Sequence, residues 1–190
     1  DGGWYIMGPL FAMSVVAIYL FVERYMAIQK ASKFEADFTN KIRDHIFEGK
    51  IDAAKHLCES SDTPMARIVH KGISRIGKPM EDINSSIENV AKLEVYNLEK
   101  NLSKLATIAG AAPMIGFLGT VIGMMVTFHN MKISGNGVEI ADLSGGIMQA
   151  MVTTVAGLII GIIAYIAYNT LVSSVDKVVN RMEMAAIEFM

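Results

Sequence analysis

Charge is scarce in this chain: Asp, Glu, Lys and Arg make up only 19% of its 190 residues, and they are missing altogether from three long stretches. Cysteine is scarcer still. Cys58 stands alone, so neither an internal disulfide nor a cysteine zinc site holds the fold together. The net charge of -2 supplies no overall basic field, which argues against a nucleic-acid partner. His45, His56, His70 and His129 lack metal-ligand spacing, so no metal is expected. No serine, threonine or cysteine pairs recognisably with a base and an orienting acid, so no enzyme active site is expected. Gly72-Ile73-Ser74-Arg75-Ile76-Gly77-Lys78-Pro79 imitates a phosphate-binding loop. It fails because Pro79 replaces the metal-binding hydroxyl, lacks an N–H, and follows no strand pattern. No cofactor is implied.

Apolar residues are abundant, at 52% of the chain with 14 Met and 16 Gly. They concentrate in the uncharged stretches Trp4 to Val22, Leu105 to Phe128 and Ile147 to Val172. Each can cross a hydrocarbon layer of about 30 Å at about 1.5 Å per residue. The first is expected to be a retained membrane helix rather than a cleaved leader, since it lacks a basic start and runs into Glu23-Arg24 rather than a small-residue cleavage site. Trp4 and Tyr5 suit an aromatic belt at the membrane surface.

Positive charge gives the orientation. Arg24 through Lys104 carry 14 of the 17 basic residues, whereas His129 to Gly146 carry only Lys132. Basic residues gather on the cytoplasmic side, so the N-terminus is expected outside, followed by a long cytoplasmic segment, a short external turn and a cytoplasmic C-terminus. The expected fold is an all-α integral membrane protein with three transmembrane helices and long cytoplasmic helical extensions. Its divisions are a first span at 1–28, a cytoplasmic segment at 29–80, a long helix at 81–128, a periplasmic turn at 129–146, and a third span with a C-terminal helix at 147–190.

Local signals support these divisions. Phe34, Phe38, Ile42 and Ile46 recur every fourth residue, and Thr63-Pro64 is a helix start. Ile83, Ile87, Val90, Leu98, Leu102 and Leu105 keep helical spacing into the second span, predicting one unbroken helix. Val172, Val175, Val179, Met182, Ala186 and Phe189 extend the third span similarly. Such stripes must be covered by each other, by the first cytoplasmic helix or by neighbouring subunits. Ser134-Gly135-Asn136-Gly137 reads as the external turn, and Asp142-Leu143-Ser144 as the cap of the third span.

Two spans carry a combination of small and polar residues. Gly119 and Gly123 stand four apart, as do Gly157 and Gly161, a spacing that lets helices approach closely in a membrane. Thr120, Thr127, Gln149, Thr153, Thr154 and Asn169 are polar groups at a depth where an unpaired one is costly. A membrane threonine can simply bond the carbonyl four residues back. Thr153 and Thr154, however, converge on the side of Gly157 and Gly161.

The string Ala112-Pro113-Met114-Ile115-Gly116-Phe117-Leu118-Gly119-Thr120-Val121-Ile122-Gly123-Met124 resembles the second-span signature of the ExbB/TolQ/MotA proton-channel family. Ala150-Met151-Val152-Thr153-Thr154-Val155-Ala156-Gly157-Leu158, with Tyr168-Asn169 after it, resembles the third-span signature, and Glu23-Arg24 is also typical. The likeness is nearest to the ExbB branch; a flagellar stator would carry two spans ahead of the large cytoplasmic segment. The resemblance implies a homo-oligomer, a pentamer, in the inner membrane of a Gram-negative bacterium, whose second and third spans line a pore. It implies an ExbD- or TolR-like single-span partner bearing a membrane aspartate that carries protons, and a TonB- or TolA-like protein. Thr120 and Thr154 match the family's pore-lining threonines, with Thr153 and Gln149 as further pathway candidates; Gly116, Gly119, Gly123, Gly157 and Gly161 are the packing positions. The spans hold no titratable group, so they cannot relay protons alone.

Two departures stand out. Many relatives carry glutamate where this chain has Gln149, so that residue's charge and pH dependence do not transfer. An Ile-Pro-Ala of many relatives is Ile162-Ile163-Ala164 here, predicting a straighter third helix. The implied role is energising TonB-dependent transport across the outer membrane. TolQ-like envelope maintenance and a non-conducting membrane scaffold are the alternatives.

Overall fold

The computed structural model describes residues 4–32, 36–134 and 140–189. These form seven helices: α1 (Trp4–Ala31), α2 (Ala36–Phe47), α3 (Ile51–Ser60), α4 (Pro64–Ile73), α5 (Met80–Glu99), α6 (Leu102–Ser134) and α7 (Ile140–Phe189). No strand occurs among the described residues. Three helical stretches, within Trp4–Ala31, Met80–Ile133 and Leu143–Ile187, are long and apolar enough to span a membrane. Only 17% to 28% of each apolar window is buried. Helices apolar all round and uncovered by their own chain require lipid or another protein around them, and the chain is a multi-pass membrane protein.

The chain divides into two compact units. The first comprises Asp1–Glu23 and Asn101–Thr170; the second comprises Arg24–Lys100 and Leu171–Met190.

The helix predicted over 81–128 is interrupted. Lys100 has extended ψ (134°) and Asn101 has φ 68°, so α5 stops and α6 starts afresh. Asparagine tolerates this left-handed conformation better than most residues, and the apolar spacing continues across the break because Leu98, Leu102 and Leu105 remain buried on either side of it. Two further boundaries differ from expectation. Helix α6 continues beyond Phe128 to Ser134, and α7 begins at Ile140, which puts Asp142, Leu143 and Ser144 inside its first turns rather than before them. The turn expected at Ser134-Gly135-Asn136-Gly137 falls mostly outside the described residues, as does Phe34. Helix α7 is unbroken through Ile163, in keeping with the absence of proline there.

In the second unit, Ile42, Ala54, Cys58, Met65, Ala66, Val69, Ile73 and Ala185 form one buried cluster, with Phe38 and Ile46 packed against it. The described members of the α2 pattern, Phe38, Ile42 and Ile46, are thereby covered; from α7 the cluster takes Ala185, which lies beside the stripe read from sequence, of which Val175 and Met182 are buried. Thr63 caps α4 as read from sequence: its Oγ1 accepts the Ala66 N–H at 3.3 Å, and Pro64 occupies the first helical position. The false phosphate-loop string is the α4–α5 connection, where Gly77 has φ 94°, a conformation that favours glycine.

A charge pairing ties α4 to α5. Arg67 Nε and Nη2 donate to the two carboxylate oxygens of Glu94 at 2.7 and 2.8 Å, and Nη1 donates to Asp62 at 2.7 Å. Glu94 is only 5% exposed, and its carboxylate holds the Arg67 guanidinium above its ordinary pKa. Arg67→Ala is expected to leave that carboxylate buried without its partner and to destabilise the unit by about 2–3 kcal/mol; thermal unfolding of the detergent-purified chain checks this.

Burial pushes the Cys58 thiol up to about 11, with Glu59 adding to the effect. A raised acid pKa means that folding favours the protonated thiol. The stability this contributes is complete below the ordinary 9.0 and is lost as pH climbs toward about 11. Iodoacetamide should accordingly modify native Cys58 about 100-fold more slowly than the denatured chain below pH ~9, a ratio measurable by mass spectrometry.

Candidate functional site: the glycine-threonine seam of α6 and α7

Helices α6 and α7 run antiparallel in the first unit, as their contacts show. Ala109 and Pro113 lie against Gly161, Gly116 against Gly157, Gly123 against Ala150, and Thr127 against Gly146. The approach is close enough to exclude side chains. A Cβ on Gly116 would lie 2.9 Å from the Thr153 carbonyl oxygen, and one on Gly157 would lie 2.5 Å from that of Ala112. These obstacles are backbone, so neither can turn aside. Gly119 faces the Thr153 side chain, with Ile6 of α1 beside it. Pro113 also shapes the seam: without an N–H it releases the Ala109 carbonyl from helical pairing, and Gly161 packs there, where a Cβ would lie 3.1 Å from that oxygen.

The threonines divide into two kinds. Thr107, Thr127 and Thr170 donate to carbonyls four residues back, at 2.8 to 2.9 Å, and the Asn169 amide does the same to Tyr165. These four bonds stay within their own helices. Thr120 and Thr154 instead bond across the seam. Their hydroxyls lie within hydrogen-bonding reach of each other, and Thr154 Oγ1 also reaches the Gly116 carbonyl at 3.0 Å and Thr120 Oγ1 the Ala150 carbonyl at 3.2 Å, so the two O–H hydrogens are shared among three bonds. Only the absence of a side chain at Gly116 lets Thr154 reach that backbone.

Thr153 differs from its neighbour. It is 3% exposed, donates to Ala150 at 2.7 Å and fills the seam over Gly119, so its hydroxyl is enclosed between helices. Thr154 is half-buried and lines an open apolar groove formed with Pro113, Met114, Phe117, Val121 and Leu158. One residue along a helix is a rotation of about 100°, which separates a packing role from a position open to a visitor. Gln149 is exposed one turn earlier on α7, and it joins neither hydroxyl among the described residues. Sequence reasoning missed Ala150, Thr127 and Gly146 as seam positions; small residues recurring on α7 were the available signal.

The seam therefore offers one neutral hydroxyl, that of Thr154, on an apolar groove, with the Thr120 hydroxyl bonded to it. The strings that build it fall within residues 60–184, which match the family model described as the MotA/TolQ/ExbB proton channel family.

The chain belongs to the MotA/TolQ/ExbB proton channel family.

Relatives within this family agree. The chain is 26% identical over 168 residues to an ExbB-like biopolymer transport protein of Synechocystis, covering 88% of this chain and 80% of the relative. It is 41% identical over 80 residues to the biopolymer transport protein ExbB of Helicobacter pylori, covering 42% and 54%. It is also 27% identical over 195 residues to the Tol-Pal system protein TolQ of Pseudomonas aeruginosa, covering 97% and 84%.

Proposed function

We propose that this chain is the pore-forming subunit of a proton-motive-force-driven inner-membrane motor. Several copies, five in the family's pattern, enclose a central cavity with α6 and α7 as its wall. A single-span partner of the ExbD or TolR kind inserts an aspartate there, and a TonB- or TolA-like protein conveys the resulting motion to transport across the outer membrane. The N-terminus lies in the periplasm and the second unit in the cytoplasm. The role is not enzymatic and requires no cofactor or metal.

The observation that carries this reading is the cross-seam pair of Thr120 and Thr154, in a family of proton channels and beside a groove without a titratable side chain. A hydroxyl accepts a hydrogen bond from a protonated carboxyl and donates one to a carboxylate by rotating its O–H. The pair can therefore hold a partner's acid in both states without being charged itself. The acid must come from elsewhere, because the apolar runs of this chain contain none. Purifying the assembly from its native membrane and identifying what accompanies it tests the reading. A single-span protein with an aspartate or glutamate in its membrane helix is the expected companion; companions without a membrane carboxyl would contradict the role.

The long TolQ alignment favours a second version, in which the same device serves envelope maintenance. Which outer-membrane-directed protein is bound, TonB-like or TolA-like, separates the two.

A further inference from the structure

In the second unit, α1 and α7 together form a half-open pocket of about 180 Å³. Two cations one helical turn apart, Lys177 and Arg181, stand on one wall, and the Ser174 hydroxyl and Gln29 amide also line it. Arg181 Nη1 reaches the Ser32 carbonyl at 3.4 Å, a long contact that uses one of the guanidinium's five N–H donors. Among the described residues, no carboxylate lines the pocket. Its floor is apolar, with Ile28 at 4% and Leu171 at 0% exposure.

Position along the chain is equally informative. Tyr25 and Ser174 follow the last apolar residues of their spans, Val22 and Val172, within one helical turn, or about 5 Å. Both helices continue without a break through this point. The pocket thus lies at headgroup depth, where Tyr25 also suits an interface.

We infer that this pocket binds the phosphate headgroup of an anionic phospholipid. The paired cations with the adjacent Gln29 amide suit a phosphodiester. The volume suits a small headgroup, whereas larger ligands occupy at least ~300 Å³. The apolar floor of Ile28 and Leu171 offers a surface to an acyl chain; a free phosphate would make no use of it. The inference needs the apolar spans within α1 and α7 to end at a membrane surface and is independent of proton conduction. Lysine and arginine that merely extend toward water from a helix end would give no headgroup preference.

The test is lipid retention by the purified full-length assembly, measured by native mass spectrometry after exchange into phosphatidylglycerol or phosphatidylcholine. Wild type should retain phosphatidylglycerol preferentially, and excess inorganic phosphate should not displace it. The Lys177→Gln/Arg181→Gln double variant should retain on the order of tenfold less. The charge-keeping Lys177→Arg/Arg181→Lys variant should retain it, as should Arg75→Gln/Lys78→Gln, which removes two charges outside the pocket. Equal retention of the two lipids by wild type would overturn the inference. So would unchanged retention in the double Gln variant, equal loss in the Arg75/Lys78 control, or displacement by inorganic phosphate alone.

Discussion

Gly157→Val should prevent α6 and α7 from docking and abolish recovery of the assembled particle. The reason is geometric. A Cβ at Gly157 would lie 2.5 Å from the Ala112 carbonyl oxygen and 2.9 Å from the Gly116 Cα, and backbone on the opposing helix cannot rotate away. Overpacking where neighbours can adjust costs about 1–3 kcal/mol; here the helices must separate, so the upper end or more is expected. Separation would also pull Thr154 from the Gly116 carbonyl, leaving polar groups unpaired in an apolar surrounding. Gly110→Ala provides the contrast, because nothing lies within 4 Å of a Cβ built there. That variant should assemble normally, and size-exclusion profiles with thermal unfolding would record the difference. Similar profiles for both would mean that the seam is not the contact that organises the spans.

Thr154→Ala and Thr120→Val should each reduce partner-dependent proton flux in liposomes by roughly tenfold or more. A hydrogen bond to a charged group is worth about 1.5–3 kcal/mol, and each substitution removes one hydroxyl that would alternately accept from and donate to the partner's carboxyl. The folded hairpin should survive, since the seam is set by glycines and Thr153. Thr107→Val is the control, because that exposed hydroxyl bonds only its own helix at Ser103. Flux unaltered in both Thr120 and Thr154 variants would favour a non-conducting scaffold.

Much of this arrangement is legible in the residues. Uncharged runs of spanning length must be membrane helices, because no other local structure satisfies every backbone group in lipid. Glycines four apart at Gly119 and Gly123, and at Gly157 and Gly161, mark the faces that approach. What spacing alone does not reveal is which of two adjacent threonines turns inward. Thr153 and Thr154 have the same chemistry, and the helix rotation that buries one and leaves the other on the groove depends on where α6 crosses α7. The break at Lys100 and Asn101 is hidden for a related reason: the buried positions on either side keep helical spacing, while the interruption depends on one left-handed asparagine. The pairing of Arg67 with Glu94 joins residues 27 apart in sequence, and nothing local distinguishes them from the solvent-facing charges around them. The helix ends expected at Phe128 and Asp142 lie instead at Ser134 and Ile140, since polar residues can continue a helix when the alternative is unpaired backbone.

The most direct measurement is the structure of the assembled complex with its partner in a lipid disc. Thr120 and Thr154 of each copy should face the central cavity, with a partner carboxyl within about 2.6–3.2 Å of a threonine hydroxyl or one water away. Finding both hydroxyls directed at the surrounding lipid, with the partner's acid elsewhere, would contradict the proposed role.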